Sequence, residues 1–289
     1  MGIALALLTA LSFALFDVTR RELSAFVSPF VMLTLFCAGS GLLVMPIAGL
    51  NGQLLPPGDY WLIAILAIAI QASANICFIN SLMLAPFSTV IPILSLTPAI
   101  AALLAMLILK EYPTTLGWIG IFTVVAGALW LALHAKKRSG SEDHGDTHMQ
   151  GIALMILVAL LWSVAPIVDK ICLVSAKPLT HTYIQFLGQA VIFATLLTVK
   201  GKLQTMRDLA SAPRLAAGGV VISATAFVVQ NMALVYVLAA ALESTKRGLG
   251  MVMALVFGKV LYKENVSPGK VVCVVFMLIG VQLILVFGK

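Results

Sequence analysis

Charge is what this chain lacks most. Only 10% of its 289 residues are Asp, Glu, Lys or Arg, while 61% are apolar. Soluble domains carry about 25% charged residues, so composition excludes a water-soluble globule. The regular polar–apolar alternation of an outer-membrane barrel is missing too. Cysteine is sparse and scattered. Cys37, Cys77, Cys172 and Cys273 form no pair with metal or redox spacing and read as small apolar residues. No HExxH motif, paired aspartates or Ser/His pair stands out within the hydrophobic stretches, so an intramembrane enzyme is not expected and no residue is assigned a catalytic role. No basic region precedes the first apolar run, Gly2 to Val18, and no small-residue cleavage site follows it; it is expected to persist as a first helix. The formal charge of +7 sits mostly at the ends of hydrophobic segments, which is usual for membrane loops and implies no nucleic-acid partner.

What is present is a series of long apolar runs. A helix needs about 20 mostly apolar residues to cross a hydrocarbon core of about 30 Å. Ten spans are expected, at about 2–24, 29–50, 60–82, 86–109, 114–134, 150–170, 178–199, 214–237, 239–261 and 267–287. The chain therefore reads as an all-α polytopic membrane protein surrounded by a lipid bilayer. It also repeats itself. Gly2-Ile3-Ala4-Leu5 recurs 149 residues on as Gly151-Ile152-Ala153-Leu154, and Phe13, Arg21 and Pro29 meet Trp162, Lys170 and Pro178 at the same offset. Later the offset is 153: Lys110-Glu111 meets Lys263-Glu264, Thr114 meets Ser267, and Gly127 meets Gly280. Two five-helix repeats are expected at 1–135 and 150–289, joined by a hydrophilic linker at 136–149. An odd number of spans per repeat makes the two inverted, as in many secondary transporters, whose substrate site lies near the midplane. In the linker, His144 and His148 stand beside Glu142, Asp143 and Asp146. A hydrated segment explains them better than a metal site.

One hydrophobic stretch breaks the pattern. In ALESTKRGLG, Glu243, Lys246 and Arg247 interrupt a run that has no other charge from Leu215 to Phe257. A charge at the bilayer centre costs roughly 2.5–3.5 kcal/mol on insertion scales, so these three have to be paired, hydrated or both. On a helix they share one broad face, with Glu243 placed i,i+3 from Lys246 and i,i+4 from Arg247. At the offset of 153 they align with Val90, Ile93 and Leu94, so the charges belong to one half only. One glutamate neutralises one of two cations, and the surplus attracts a carboxylate or phosphate, which the arginine fork binds bidentately. An internal ion pair that fixes helix packing is the plainer alternative.

Other polar residues are candidates for the same cavity: Gln71 and Asn75 on span three, Gln189 on span seven and Tyr236 on span eight. Each also fits an ordinary interhelical hydrogen bond. Asp17 and Asp169 lie near the ends of spans one and six, with Arg20, Arg21 and Lys170 as basic neighbours. An acid within a membrane is a natural proton carrier. Glu243 and Asp17 are the candidates if transport is proton-coupled. Pro92 and Pro98 are expected to break regular hydrogen bonding in span four.

These residues also carry a family likeness. The stretch APFSTVIPILSLTPAIAALLAMLILKEYPTTLGWIGIFTVVAGALW resembles the fourth and fifth helices of EamA-type members of the drug/metabolite transporter superfamily. So does its second copy, AALESTKRGLGMVMALVFGKVLYKENVSPGKVVCVVFMLIGVQLIL. LLWSVAPIVDK is similar to the family's first-helix pattern, and this implies that Trp162 is a cavity aromatic. The family's usual box is Gly-Glu; here both copies carry Lys-Glu. The resemblance implies ten helices and transport, with both termini in the cytoplasm. The loop charge bias points the other way, to termini outside.

Together these features predict a secondary transporter or exporter of a small polar metabolite in the cell inner (plasma) membrane. The metabolite is expected to be amino acid-like, or another anionic or zwitterionic compound, moved by alternating access without a cofactor. Two alternatives stay open: a carrier of cationic or lipophilic compounds with Glu243 as attractant, and a non-transporting scaffold or receptor.

Overall fold

Hydrocarbon offers no water to backbone N–H and C=O groups, so a spanning segment pairs them within itself as a helix. The computed structural model of the chain describes residues 1–85, 90–136, 145–261, 263 and 268–287, and every regular element among them is helical. In chain order these are α1 (Gly2–Leu23), α2 (Pro29–Leu50), α3 (Tyr60–Leu84), a 3-10 segment Ile91–Leu96 and α4 (Thr97–Ile108). Then come α5 (Thr115–Lys136), α6 (Gly145–Ser175), α7 (Pro178–Val199), a second 3-10 segment Leu203–Ser211, α8 (Pro213–Leu234), α9 (Ala239–Val260) and α10 (Pro268–Phe287). Among the described residues six helices, α1, α2, α3, α6, α7 and α8, are long and apolar enough to cross a membrane. Shorter apolar stretches lie at Ile93–Ile108, Thr115–Trp130 and Val271–Phe287. Helix α9 is 22 residues long but carries Glu243, Lys246, Arg247 and Lys259.

The expected linker overlaps residues 137–144, which lie outside the described ones, as do Glu142, Asp143, His144, Glu264 and Ser267. From its far side, α6 reaches into that expected linker, starting at Gly145.

Prolines punctuate the helices. Helices α2, α7, α8 and α10 begin on proline, where the missing N–H has no intrahelical partner to lose. Span four is not one continuous α-helix. Pro92 falls in the 3-10 segment and Pro98 in the first turn of α4, so the helix restarts at Thr97, partway through the span.

Two compact units form: Met1–Ala72 with Val168–Val235, and Ser73–Ile167 with Tyr236–Lys289. Each takes helices from both halves of the sequence. In the first unit α1 packs on α8, and α2 on α7 and α8. Phe16, Leu23, Val31 and Phe36 are buried at its centre, with the Phe16 and Phe36 rings 5.0 Å apart and Phe186 and Phe227 4.9 Å apart. Ser40 on α2 donates to Val220 O at 3.1 Å and lies 2.6 Å from the Ser223 hydroxyl, tying α2 to α8.

In the second unit α5 lies along α10, and α9 packs on α10, α4 and α5. Gly120 and Gly280 let α5 and α10 approach closely. A Cβ on Gly120 would sit 2.7 Å from Gly280 O, and one on Gly280 would sit 2.8 Å from Gly120 O. The Lys-Glu box ends α4. Lys110 takes the left-handed conformation at φ 54°, Lys263 does so at φ 53°, and the Glu111 N–H reaches back to Ala105 O at 3.2 Å. Outward-facing positions are apolar: Leu62, Leu107 and Val174 are 80%, 78% and 86% exposed, a surface suited to lipid.

Candidate functional site

The charged stretch lies in the first half of α9, within the second unit. Glu243 is 3% exposed, and its carboxylate accepts from Lys246 Nζ at 2.5 Å, one helical turn away. The spacing allowed either basic residue to be Glu243's partner, and the structure pairs it with Lys246. Arg247 reaches across to the restart of span four. Its Nε donates to Thr97 Oγ1 at 3.1 Å, and that hydroxyl in turn donates to Leu94 O at 2.8 Å. The guanidinium carbon lies 5.8 Å from the Trp162 ring centroid, within cation–π range. Trp162 itself leans on Phe78, with centroids 5.2 Å apart. Its indole N–H is buried and has no hydrogen-bond partner among the described residues.

Local chemistry explains this assembly. Glu111 accepts from the Ala239 N–H at 3.0 Å and so caps the first turn of α9. Four N–H groups at a helix start lack intrahelical partners, and a carboxylate there answers one of them. On α6, Ser163 donates to its own-helix Ala159 O at 2.6 Å and lies 3.2 Å from Thr97 O, linking α6 to the restart of α4. A helix start carries partial positive charge. At Thr97, however, the N–H already donates to Leu94 O, because the 3-10 segment runs directly into α4. Glu243, Lys246 and Arg247 together sum to one positive charge, held among buried groups where charge interactions are strong.

Of the expected site residues, Glu243, Lys246, Arg247 and Trp162 come together here. Asn75 belongs to the same unit, half-buried on α3, and Tyr236 lies in the α8–α9 joint, 42% exposed. Gln71, Gln189 and Asp17 belong to the first unit. Gln189 is buried on α7, its Nε2 3.3 Å from Gln185 O. Asp17 has a side chain 68% exposed and pairs with Arg20 at 3.6 Å.

Thr97 and Ser163 were not foreseen. Their signal is faint: a threonine beside Pro98 and a serine beside Trp162, each a common residue in a membrane helix. Asp169, near the end of span six, has partners that its sequence neighbours do not suggest. Asp169 is 2% exposed and bonded to His181 and Gln185, inside the first unit.

Comparison with known proteins completes the description. The family model for the EamA-like transporter family matches residues 1–133 and 149–286. A comparison with curated proteins finds no match. One solved structure, described only as "Crystal structure of protein", superposes with a TM-score of 0.79 at 15% identity, over 98% of this chain and 95% of that one. At that identity the likeness speaks for the fold alone.

Proposed function

We propose, from the premise that this chain belongs to the EamA-like transporter family, that it carries a small anionic or zwitterionic metabolite whose acidic group docks at Arg247. Membership makes it a multi-pass membrane transporter of the drug/metabolite type. The finer reading is ours: ten spans in two inverted five-helix repeats, alternating access, export of an amino acid-like or other acidic compound, and residence in the cell inner membrane.

The observation that carries this reading is the setting of Arg247. It is anchored on Thr97, lies beside an indole whose N–H lacks a partner among the described residues, and faces the restart of α4. A carboxylate or phosphate fits that setting: it complements the net positive charge of Glu243, Lys246 and Arg247, matches the planar arginine fork, and offers an acceptor to Trp162 Nε1. A mid-membrane helix break beside a substrate's acidic group is a recurrent transporter device. Lys246 strengthens the field while compensating Glu243, which remains one proton candidate, as does Asp17. The cationic-substrate reading needs Glu243 as attractant, and Lys246 at 2.5 Å already holds that carboxylate.

Thermal unfolding of the detergent-purified protein across amino acids, organic acids, sugar phosphates, nucleotides and amines tests this. A ligand at about 100 times its dissociation constant stabilises the folded state by about 2.7 kcal/mol. A carboxylate or phosphate compound is expected to stabilise wild type, with Arg247→Gln weakening binding by about a hundredfold. Amines alone stabilising the protein, or equal shifts in the variant, would overturn the reading.

A further inference from the structure

A second buried charged cluster lies in the first unit. Three helices build it: α6 supplies Asp169, α7 supplies His181 and Gln185 one turn apart, and α3 opens on Tyr60. His181 Nε2 lies 3.1 Å from Asp169 Oδ1, and Gln185 Nε2 donates to the same oxygen at 2.7 Å. The Tyr60 hydroxyl lies 2.9 Å from His181 Nδ1. The His181 and Asp169 side chains are 0% and 3% exposed.

We propose that Asp169 and His181 form a reversible proton-binding site, with Tyr60 reversing its hydrogen bond as the proton arrives or leaves. In the unloaded state His181 is neutral. Its Nε2–H donates to the Asp169 carboxylate and its Nδ1 accepts from the Tyr60 O–H. Loading adds one proton from water to Nδ1, which becomes a donor, and the Tyr60 hydroxyl rotates to accept it. No other bond forms or breaks. The three side chains remain hydrogen-bonded to one another in both states without moving a heavy atom, because a hydroxyl both donates and accepts. A phenylalanine or a lysine in place of Tyr60 has no such freedom.

The charges set the balance. Unloaded, Asp169 and His181 together carry one buried negative charge; loaded, they sum to zero. In the unloaded state the Gln185 and His181 N–H groups both donate to the bare Asp169 carboxylate. Cys172 and Tyr183 lie close enough to act on Tyr60, and Cys172 also on Asp169. Lys170 follows Asp169 on α6. Packed against α7, α2 offers only Cys37 and α8 only Arg214, while Arg207 and Asp208 lie on the 3-10 segment after the opposite end of α7.

The place suits a proton site. Tyr60 is the first residue of α3 and His181 lies three residues into α7, within about one turn, roughly 5 Å, of their helix ends, while Asp169 lies about 9 Å before the end of α6. Over that end the α2–α3 loop is clasped: Lys177 Nζ donates to Asn51 O at 2.7 Å, Thr180 Oγ1 to Gln53 O at 2.5 Å, and Ser175 Oγ to Asp59 at 3.2 Å. In a transport cycle such a site couples substrate movement to a proton; that use rests on the transport reading above, whereas the proton binding does not.

Nitrogen-15 histidine NMR of the full chain in lipid bilayers is the test. Replacing His134, His144 and His148 by glutamine leaves His181 as the sole histidine, with its own cluster intact. Its imidazole is expected to convert from the neutral to the doubly protonated form as pH falls from about 8 to about 5. Asp169→Asn is expected to lower the protonated-to-neutral ratio at a given pH tenfold or more. His181 fixed in one form across that range, or a folded Asp169→Asn protein that titrates as the parent does, would overturn the proposal. If no compound of the thermal panel stabilises the protein, the transport reading fails while this titration still decides the site. Where one does, its stabilisation is expected to depend on pH in wild type and not in His181→Gln. Equal pH dependence in both would overturn the coupling.

Discussion

Glu243, Lys246 and Arg247 show what one residue at a time can and cannot do inside a packed bundle of apolar helices. Glu243 is 3% exposed and survives there because Lys246 lies 2.5 Å away. Removing one partner of such a pair strands the other and costs about 3–5 kcal/mol. Arg247 is tied to a different element, Thr97, 150 positions away in the chain. Lys110 poses a separate problem at the same scale. Its φ of 54° is the left-handed region, which costs an L-residue roughly 1–2 kcal/mol and glycine almost nothing. This accounts for the glycine of the family's usual box. Lys110→Gly is therefore expected to melt about 2–4 °C above Lys110→Ala, a difference of about 1 kcal/mol, in parallel thermal unfolding. Equal melting of the two would show that Lys110 carries no such strain. The charged stretch was legible because charge is rare in this chain. Thr97 was not, because a hydroxyl among apolar residues has many uses and its partner is remote. His181 was passed over for the same reason: nothing near it in sequence announces Asp169 or Tyr60.

Among the elements, α4 and α9 decide the site. The break at Pro92 and Pro98 was readable from proline chemistry; that the restart would meet Arg247 was not. The Lys-Glu box acquires a physical role from its glutamate: Glu111 caps the first turn of α9 at Ala239, 3.0 Å away, and thereby helps fix the helix that carries the charges. Glu111→Ala is expected to cost about 1 kcal/mol of stability, Glu111→Gln less, since the amide oxygen still accepts. The measurement is thermal unfolding of both variants beside wild type. Equal stability of all three would mean the cap is ornamental. The α5–α10 contact rests on glycine against glycine, a pattern the repeat alignment touched only at Gly280.

At the scale of the whole molecule, the sequence pattern conveyed a helical membrane protein, and the family match supports that class. Periodicity and hydropathy did not convey how the helices sort themselves. Each compact unit draws on both halves of the chain, and α3 and α6 each contribute to both units. Such sorting follows from side-chain fit between distant helices, such as Ser40 with Ser223 or the phenylalanines of the first unit. For that reason Gln71, Gln189 and Asp17 fell outside the unit that holds Arg247. The central claim is that acidic compounds are carried by way of Arg247. Its most direct test is counterflow in vesicles reconstituted with the purified chain, using radiolabelled carboxylates, phosphates and amines. At least one carboxylate or phosphate compound is expected to accumulate with wild type, and to fall about a hundredfold with folded Arg247→Gln. Accumulation of amines alone, or undiminished counterflow in the variant, would contradict the account.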